Sequence, residues 1–206
     1  MRTTRFSESF FLTTNSVFLP ERRGVGAMMP GCRIYICDES GNVLPQGEEG
    51  EIVATTPFHM RGYYKNEEAT KALIREDGRI YSGDIGVLDK DGYLTVTGRK
   101  KDLIIRGGIN ISPAEVEDVL STHPLVAEVV VIGVPDPRAG EELLAVIKTK
   151  EEVSADDIRE YAAAHLASFK VPKHVSFIDE FPRSVTGKIQ KGKLKDMMAT
   201  DASVAK

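Results

Sequence analysis

The sequence predicts an α+β protein with a β-rich first half and a smaller α+β second half. Before about residue 98, short apolar segments alternate with Gly- and Asp-containing turns, a pattern typical of strands. Beyond that point, two segments begin with helix-start signals and continue with apolar residues at helical spacing, which indicates helices packed on a small sheet. The charged segment 98–117, which contains two adjacent glycines, is interpreted as the joint between the two halves.

The composition fits two small domains and argues against several classes of protein. The chain has 206 residues, of which 41% are hydrophobic and 28% charged, so each half can bury a core. The net charge of −4 argues against nucleic-acid binding driven by overall charge. No apolar run approaches the roughly 20 residues that a membrane-spanning helix needs.

The two cysteines predict free thiols. Cys32 and Cys37 have no second pair and no nearby histidine, so a zinc site is not expected. They flank a predicted strand at an odd separation, which points their side chains to opposite faces. Reduced thiols fit a cytoplasmic protein.

The first half contains strands and one short helix. Residues 33–37 and 50–55 are predicted strands. Asn66 is a predicted N-cap, because two acidic residues follow it and favour the positive end of the helix dipole. We expect this helix to end at Asp77-Gly78.

A short strand, residues 79–81, and a hairpin over residues 85–98 follow. The segment Ser82-Gly83-Asp84 separates them, so Asp84 is expected at the end of a strand. Asp89 and Asp91 could suggest a calcium loop, but a third ligand position and the distal Glu are missing. A hairpin turn is therefore favoured.

The second half begins with a short strand that ends at Ile105. Ser112-Pro113, followed by Glu115, predicts a helix start with a Ser cap, Pro at the first position and Glu at the third. Strands are predicted over 125–134 and 142–148, with a turn at 134–137 between them.

The rest of the second half continues the α+β pattern. A helix over about 155–168 is capped by Ser154. The segment 175–178 is a predicted strand, 182–188 a loop, and a basic helix starts near residue 190.

Asp84 and the basic segment after Gly98 are candidates for ligand contact. A carboxylate can accept hydrogen bonds from two neighbouring sugar hydroxyls, although a turn aspartate is the alternative. Arg99, Lys100 and Lys101 could bind an anion, or they could form a solvated linker.

The double glycine and a loop lysine are further candidates. Gly107-Gly108 can adopt positive φ in a plain turn or allow a ligand to approach closely. Lys188 lies in a loop that could carry its charge into a site, where it would stabilise negative charge on a carboxylate or phosphate. The alternative is an ordinary surface lysine. Neither a Ser-His-Asp pattern nor a metal-ligand cluster is evident in the sequence.

Taken together and in this order, these segments resemble the C-terminal part of the adenylate-forming enzymes, which include acyl-CoA synthetases, luciferases and peptide-synthetase adenylation domains. The double glycine followed by Ile109-Asn110-Ile111 looks more like acyl- or aryl-CoA ligases. The matching motifs are Gly24-Val25-Gly26, Pro30-Gly31, Gly50-Glu51-Ile52, Met60-Arg61-Gly62-Tyr63-Tyr64, Tyr81-Ser82-Gly83-Asp84, residues 98–117, Gly133-Val134-Pro135-Asp136, Lys170-Val171-Pro172 and Pro182 through Lys188.

The resemblance implies a fold and a nucleotide site. Residues 1–98 would be a β-rich, distorted barrel-like subdomain, 99–101 a hinge, and 102–206 a mobile α+β lid. Asp84 and Arg99 match the positions that hold the ribose hydroxyls of ATP, and Val96 matches an apolar contact near the nucleotide.

The resemblance also implies the catalytic groups and the substrates. Lys188 matches the lysine that bridges the acyl carboxylate and the α-phosphate, Lys101 the hinge of the lid, and Gly107-Gly108 the path of the CoA pantetheine. The implied ligands are ATP or AMP, CoA, a carboxylic acid and Mg²⁺. The motif that ends in a magnesium-binding glutamate falls at residues 4–8, where only Ser7 and Glu8 agree, and Glu8 is the metal candidate.

The phosphate loop and most of the acyl pocket of this family are absent from the sequence. We therefore expect a C-terminal fragment of an AMP-forming acid–CoA ligase that is inactive alone. The alternative is a non-catalytic module that docks to a separate N-terminal polypeptide. A lysine acetyltransferase and a deacetylase acting on Lys188 would be regulatory partners, and a homo-oligomer stays open.

Overall fold

The computed structural model describes residues 26–200 together with short strand segments at 5–6, 10–11 and 13–14. The chain divides into two compact units, Met1–Lys101 and Asp102–Lys206. The division falls inside a single 3-10 turn, Lys100–Asp102. Both units combine sheets with few helices, so the predicted α+β class is confirmed.

Unit 1 is built on an antiparallel sheet of six strands. Their order from edge to edge is β3-β4-β8-β7-β6-β5, while β1 and β2 pair separately. The elements are β1 Arg5–Phe6, β2 Phe10–Phe11, β3 Thr13–Thr14, β4 Gly26–Met28, β5 Arg33–Cys37, β6 Glu49–Thr55, α1 Glu67–Leu73, β7 Ile80–Leu88 and β8 Tyr93–Arg99.

Helix α1, which lies in the described part of unit 1, is shorter than predicted. The Asn66 side chain accepts a hydrogen bond from Ala69 N at 3.0 Å, which confirms the predicted N-cap. The expected end at Asp77-Gly78 is wrong, because Ile74 is extended and forms a β-bridge with Ile80. Because Ile74 pairs with the sheet, it cannot continue the helix into a further turn.

Strand β7 is continuous where the sequence predicted two strands. Tyr81 pairs with Val53 and Ile85 pairs with Glu51. Three residues of β7 therefore oppose the single residue Ile52, which is a β-bulge. The expectation that Asp84 ends a strand is wrong, because the bulge absorbs Ser82-Gly83-Asp84 and the pairing resumes beyond it.

The sheet of unit 1 buries apolar side chains on both faces. One cluster contains Cys32, Ile34 and Leu94, and another contains Cys37 and Tyr81. The two cysteines are buried and are not joined in a disulfide. Their prediction on opposite sides of β5 is confirmed by their membership of different clusters.

Unit 2 is a sheet with helices on both faces. The sheet order is β10-β9-β12-β11, and β13 pairs in parallel with β12 beside β9. The elements are β9 Ile104–Arg106, β10 Ile109–Ile111, α2 Pro113–Ser121, β11 Val126–Asp136, β12 Gly140–Thr149, α3 Ala155–His165, a 3-10 turn Ser168–Lys170, β13 His174–Phe177 and α4 Lys191–Thr200.

Alternate residues of β11 and β12 enter two separate cores. Val131 packs in the cluster that contains Val116 of α2 and Ile158 of α3. Val130 packs in the cluster that contains Leu194 of α4. Burial on both faces explains why the sequence of β11 is almost continuously apolar.

The helix starts of unit 2 follow the sequence only in part. The Ser154 hydroxyl accepts from Asp157 N at 3.1 Å in a complete capping box. Ser112 is the N-cap residue of α2, but its side chain makes no cap hydrogen bond. Glu115 instead accepts from Lys170 Nζ at 2.6 Å, so the expected side-chain cap of α2 is wrong.

Two element ends also differ from expectation. Strand β11 extends to Asp136, and the turn lies at 136–140 rather than 134–137. Helix α3 ends at His165, because Leu166 is extended. None of the helices in the described residues is long and apolar enough to cross a membrane.

Candidate functional site

Asp84 and Arg99 face each other across β7 and β8. They are register partners, and Arg99 Nε lies 3.1 Å from Asp84 Oδ1. The Asp84 side chain is only 14% exposed, whereas that of Arg99 is 59% exposed. The Ser82 hydroxyl donates to Ile52 O at 2.7 Å and accepts from Asp84 N at 3.0 Å. The bulge therefore fixes the backbone that carries the carboxylate.

This carboxylate and its arginine line an open pocket of about 490 Å³. The pocket lies entirely within unit 1 and combines one carboxylate with three cationic side chains and an apolar side. Its lining residues are Tyr63, Leu73, Ile80, Ser82, Gly83, Asp84, Arg99, Lys100 and Lys101. A carboxylate acceptor beside several cations suits a ligand that carries both hydroxyl groups and negative charge.

Glu51 contacts two residues that line this pocket, Gly83 and Lys100. It is a buried carboxylate of β6 that accepts from Lys100 Nζ at 2.8 Å and from Gly83 N at 3.2 Å. It ties the bulge to the basic segment after β8. Sequence reasoning assigned no role to Glu51, although a charged residue within the apolar run of β6 was the available signal.

The other predicted residues of unit 1 lie at different distances from the pocket. Lys101 lines it and is the last residue of the unit. Val96 lies opposite Gly86 on β8 with its side chain 38% exposed. Among the described residues, Val96 is not part of the pocket lining.

Gly107 and Gly108 form the two-residue turn between β9 and β10. Their φ angles are +58° and +82°, which matches the hairpin turn that needs positive φ at both central residues. A Cβ at either position would meet no atom within 4 Å. The backbone conformation therefore favours glycine here, as in the plain-turn reading of the sequence.

Side chains from β12 hold the strand that leads into this turn. Arg106 Nε lies 2.9 Å from Glu142 Oε2, and Arg106 Nη1 donates to Phe169 O at 2.7 Å. Ile105 N donates to Glu141 Oε2 at 2.8 Å. Strands β9 and β12 are paired through one residue pair. Two neighbouring carboxylates of β12 provide further contacts with β9.

A second turn, residues 136–140, supports the double glycine. Gly107 N donates to Ala139 O at 2.7 Å. Within the turn, Asp136 Oδ1 accepts from Arg138 N and Ala139 N. The Lys173 ammonium, which donates to Asp136 Oδ2 at 2.7 Å, together with these amides holds the pKa of Asp136 well below its usual range.

Lys188 lies in a loop that is closed by backbone hydrogen bonds. Ser184 N donates to Lys188 O at 2.8 Å, and Gln190 N donates to Pro182 O at 2.8 Å. The Lys188 side chain is exposed. Within the described residues, its ammonium makes no hydrogen bond or ion pair. The loop is therefore ordered around a cation that is available to a ligand.

Arg183 adds side-chain contacts to the same loop. Its Nη1 donates to Gly187 O at 2.9 Å, and its Nη2 donates to both carboxylate oxygens of Glu128 at 2.6 Å. Glu128 belongs to β11. The peptide bond before Lys188 is thereby connected to the central sheet of unit 2. Sequence reasoning did not identify this connection.

Family comparisons explain why these residues occur together. Residues 115–188 match the AMP-binding enzyme C-terminal domain, and residues 7–64 match the AMP-binding enzyme family. The chain belongs to the AMP-binding, adenylate-forming enzymes. It corresponds to their C-terminal portion, as the resemblance predicted.

Individual relatives of this AMP-binding chain are CoA ligases. It is 41% identical over 186 residues to the putative acyl-CoA synthetase YngI of Bacillus subtilis, covering 88% of this chain and 34% of that protein. It is 44% identical over 164 residues to a feruloyl-CoA synthase from Amycolatopsis, covering 79% of this chain and 33% of that protein. The chain thus spans about a third of the length of these curated relatives.

Solved structures of related enzymes share the fold. ATP-bound MatB from Rhodopseudomonas palustris matches with a TM-score of 0.87 and 36% identity, over 94% of this chain and 39% of that one. The o-succinylbenzoate CoA synthetase of Bacillus subtilis, in complex with its acyl-adenylate intermediate, matches with a TM-score of 0.87 and 35% identity, over 95% and 40% of the two chains.

The predicted magnesium ligand of this AMP-binding chain, Glu8, lies outside the described residues. Within the part of the chain that the structure describes, no group of three or more His, Cys, Asp or Glu side chains is arranged to hold a metal ion. We therefore derive no catalytic step through Mg²⁺.

Proposed function

We propose that this chain supplies the ribose-binding pocket and the catalytic lysine of an ATP-dependent, AMP-forming acid–CoA ligase. In the first step, a substrate carboxylate oxygen attacks the α-phosphorus of ATP, and the bond to the departing pyrophosphate breaks. In the second step, the CoA sulfur attacks the acyl carbonyl, AMP leaves, and the thiol proton passes to solvent. Family membership and the CoA-ligase relatives support this reaction class.

The main support for the proposal is that the Lys188 ammonium is exposed and available to a ligand. Charge on the carboxylate and the α-phosphate has to be neutralised as they approach each other, and a positioned cation lowers the barrier for this step. Lys188 is exposed, and no ion pair occupies it in the described residues. It can therefore contact both groups without first losing a protein partner.

The pocket of unit 1 is proposed to hold the nucleotide. Asp84 would accept hydrogen bonds from the two ribose hydroxyls, and Arg99 would contact the same sugar. The low exposure of Asp84 and its fixed backbone support this role, because a pre-positioned acceptor costs little entropy when it binds. Val96, on the exposed part of β8, would make an apolar contact near the nucleotide.

The remaining roles concern the thiol step. Lys101, at the division between the units, would be the hinge about which Asp102–Lys206 reorients between the two steps. Gly107 and Gly108 would then lie along the CoA pantetheine. Their turn, which leaves open space where side chains would stand, supports this assignment.

Replacing Lys188 with Ala in the enzyme that contains this chain tests the proposal. We expect acid-dependent ATP–pyrophosphate exchange to fall by roughly a hundredfold to a thousandfold, as when one transition-state-stabilising group is removed. Thioester formation from a supplied acyl-adenylate should stay within about twofold of wild type, because that step does not break the phosphate bond. Equal loss of both half-reactions would contradict the proposal.

A non-catalytic module that docks to a separate N-terminal polypeptide is the second candidate. Exposed aromatic side chains on unit 1 favour it, with Phe58 at 61%, Tyr63 at 40% and Tyr64 at 88% exposure. The same aromatic side chains could equally pack against the remainder of a longer enzyme. The Lys188→Ala variant separates the two candidates, since a docking module without a catalytic role would leave exchange by the complex unchanged.

Three further assignments accompany the main proposal. The chain alone would be inactive, since it spans about a third of its relatives' length. Cysteines that are not joined in a disulfide fit a cytoplasmic location. Acetylation of the exposed Lys188 would remove its charge and stop adenylation.

A further inference from the structure

We infer that Arg183 is a positioning residue that holds Lys188 in place through Glu128 and the carbonyl of Gly187. The catalytic part of this inference rests on the proposed role of Lys188, whereas the structural part is independent of that role. Arg183 is five residues before Lys188 in the chain, and its guanidinium bridges the loop to the sheet.

Arg183 contacts the peptide bond that immediately precedes Lys188. Nη1 donates to Gly187 O at 2.9 Å, so it orients the peptide bond that joins Gly187 to Lys188. Gly187 has a φ angle of +80°, and a Cβ there would meet no atom within 4 Å. No atom packs where a Cβ of Gly187 would stand, and hydrogen bonds to Ser184 O and from Arg183 hold this part of the loop.

The other end of the guanidinium is fixed to a rigid element. Glu128 lies on β11, which pairs with β12 over most of its length. Both carboxylate oxygens of Glu128 lie 2.6 Å from Arg183 Nη2. The pair is partly exposed, at 44% for Arg183 and 33% for Glu128. Such a pair contributes little to global stability, so its main consequence is local geometry.

The base of the loop is held by different interactions. Phe181 is buried and Ile189 packs against the same cluster. Arg183 and Ile189 also form an isolated β-bridge. The base can therefore stay folded when the guanidinium is removed, while Gly187 O, in the peptide bond before Lys188, loses its side-chain donor. A charged donor shared by a carboxylate and a carbonyl is specific to Arg, because a Lys ammonium lacks the planar fork.

Limited trypsin digestion of the chain tests the structural part. We expect cleavage after Lys188, followed by mass spectrometry, to rise about fivefold in Arg183→Met, because the loop opens more often. Arg183→Lys should give an intermediate rise and serves if the Met variant folds poorly. Arg159→Met is the matched control, since it removes an ion pair with Asp156 on α3 far along the chain from the loop.

Half-reaction kinetics of the enzyme that contains this chain test the catalytic part. Arg183→Met should lower the kcat of ATP–pyrophosphate exchange roughly tenfold to a hundredfold, the effect of a misplaced group. KM for ATP and thioester formation from supplied acyl-adenylate should change less than about threefold. Arg183→Lys should partly restore kcat.

The possible failures are distinct. Unchanged cleavage after Lys188 in Arg183→Met would overturn the positioning role. A raised KM with unchanged kcat would overturn it as well, because it would indicate a contact with ATP. Full exchange activity in Lys188→Ala would instead overturn the proposed function, and the digestion result would still decide whether Arg183 orders the loop.

Discussion

The two units hold their candidate residues by different means. In unit 1, Asp84 and Arg99 lie within paired strands, and Glu51 ties the bulge to Lys100. In unit 2, the candidates lie in a hairpin turn and in a loop before α4. Gly107-Gly108 joins β9 to β10, and Lys188 lies in a closed loop. Unit 1 relies on strand register, and unit 2 relies on backbone conformation and side-chain hydrogen bonds.

This difference suggests how each site meets its ligand. In the unit 1 pocket Arg99 is paired with Asp84, and Lys100 is paired with Glu51 beside the pocket, so a ligand there exchanges contacts within a preformed frame. Lys188 has no counter-ion among the described residues. In the proposed reaction, preformed pairs would suit a ligand held through both steps, and an unpaired cation would suit charge that develops during one step.

The largest expected effect is steric and tests the strand-based frame. Gly86 is buried on β7, and a Cβ there would lie 2.5 Å from Thr95 O and 2.8 Å from Ile52 Cδ1. Because the backbone of β8 cannot yield cheaply, Gly86→Ala should destabilise the chain by about 3 kcal/mol. Urea unfolding followed by circular dichroism measures this change. Hydrogen exchange should place the loss in unit 1.

The matched control for Gly86 is Gly192→Ala in α4. A Cβ there would meet nothing within 4 Å. Helix propensity predicts a gain of up to about 1 kcal/mol. If both variants changed stability equally, the steric account of the unit 1 frame would fail.

A smaller effect is expected where unit 2 depends on backbone conformation. Gly107→Ala forces a φ of +58° on a residue with a Cβ and should cost about 1–2 kcal/mol. Gly107→Asn should cost less, because Asn tolerates positive φ in this kind of turn. Thermal unfolding of both variants checks the order. A neutral Ala variant would mean that the turn does not need its observed conformation.

The smallest effect concerns the charged turn beside the double glycine. The Lys173 ammonium and two backbone amides hold the pKa of Asp136 below its usual value. A lowered pKa stabilises the folded state above the ordinary pKa of Asp, and this stabilisation disappears as the pH falls. Asp136→Asn should therefore lower the Tm at pH 7, and its difference from wild type should shrink between about pH 5 and pH 2.

Thermal unfolding over a pH series measures this difference. Asp156→Asn, which alters an exposed ion pair on α3, is the control. A Tm difference for Asp136→Asn that stays constant across the series would contradict the charge-based account of the turn.

Local signals in the sequence predicted most elements but not their ends. Asn66 and Ser154 cap helices as expected, because their hydrogen bonds are to residues three positions away. Ser112 makes no side-chain cap hydrogen bond, and Glu115 forms an ion pair with Lys170, which is distant in sequence. Ile74 leaves the helix for a bridge with Ile80. Each difference arises where a contact within the fold competes with a local preference.

Sequence motifs identify the candidate site residues, but they do not identify the residues that hold those side chains in place. The family motifs singled out Asp84, Arg99 and Lys188, and the structure places the first two together. Glu51 and Arg183 are equally integral to these sites, yet their partners Lys100 and Glu128 lie 49 and 55 positions away in sequence. A single sequence does not indicate such pairs.

The sequence by itself determined the α+β class and the family. These features depend on local periodicity, on capping and turn chemistry, and on motifs with fixed spacing. The tertiary structure alone decided that Ser82-Gly83-Asp84 is a bulge, that Glu51 supports it, and that Arg183 connects the Lys188 loop to β11. Register and long-range ion pairs depend on which strands become neighbours, and only the folded chain brings those strands together.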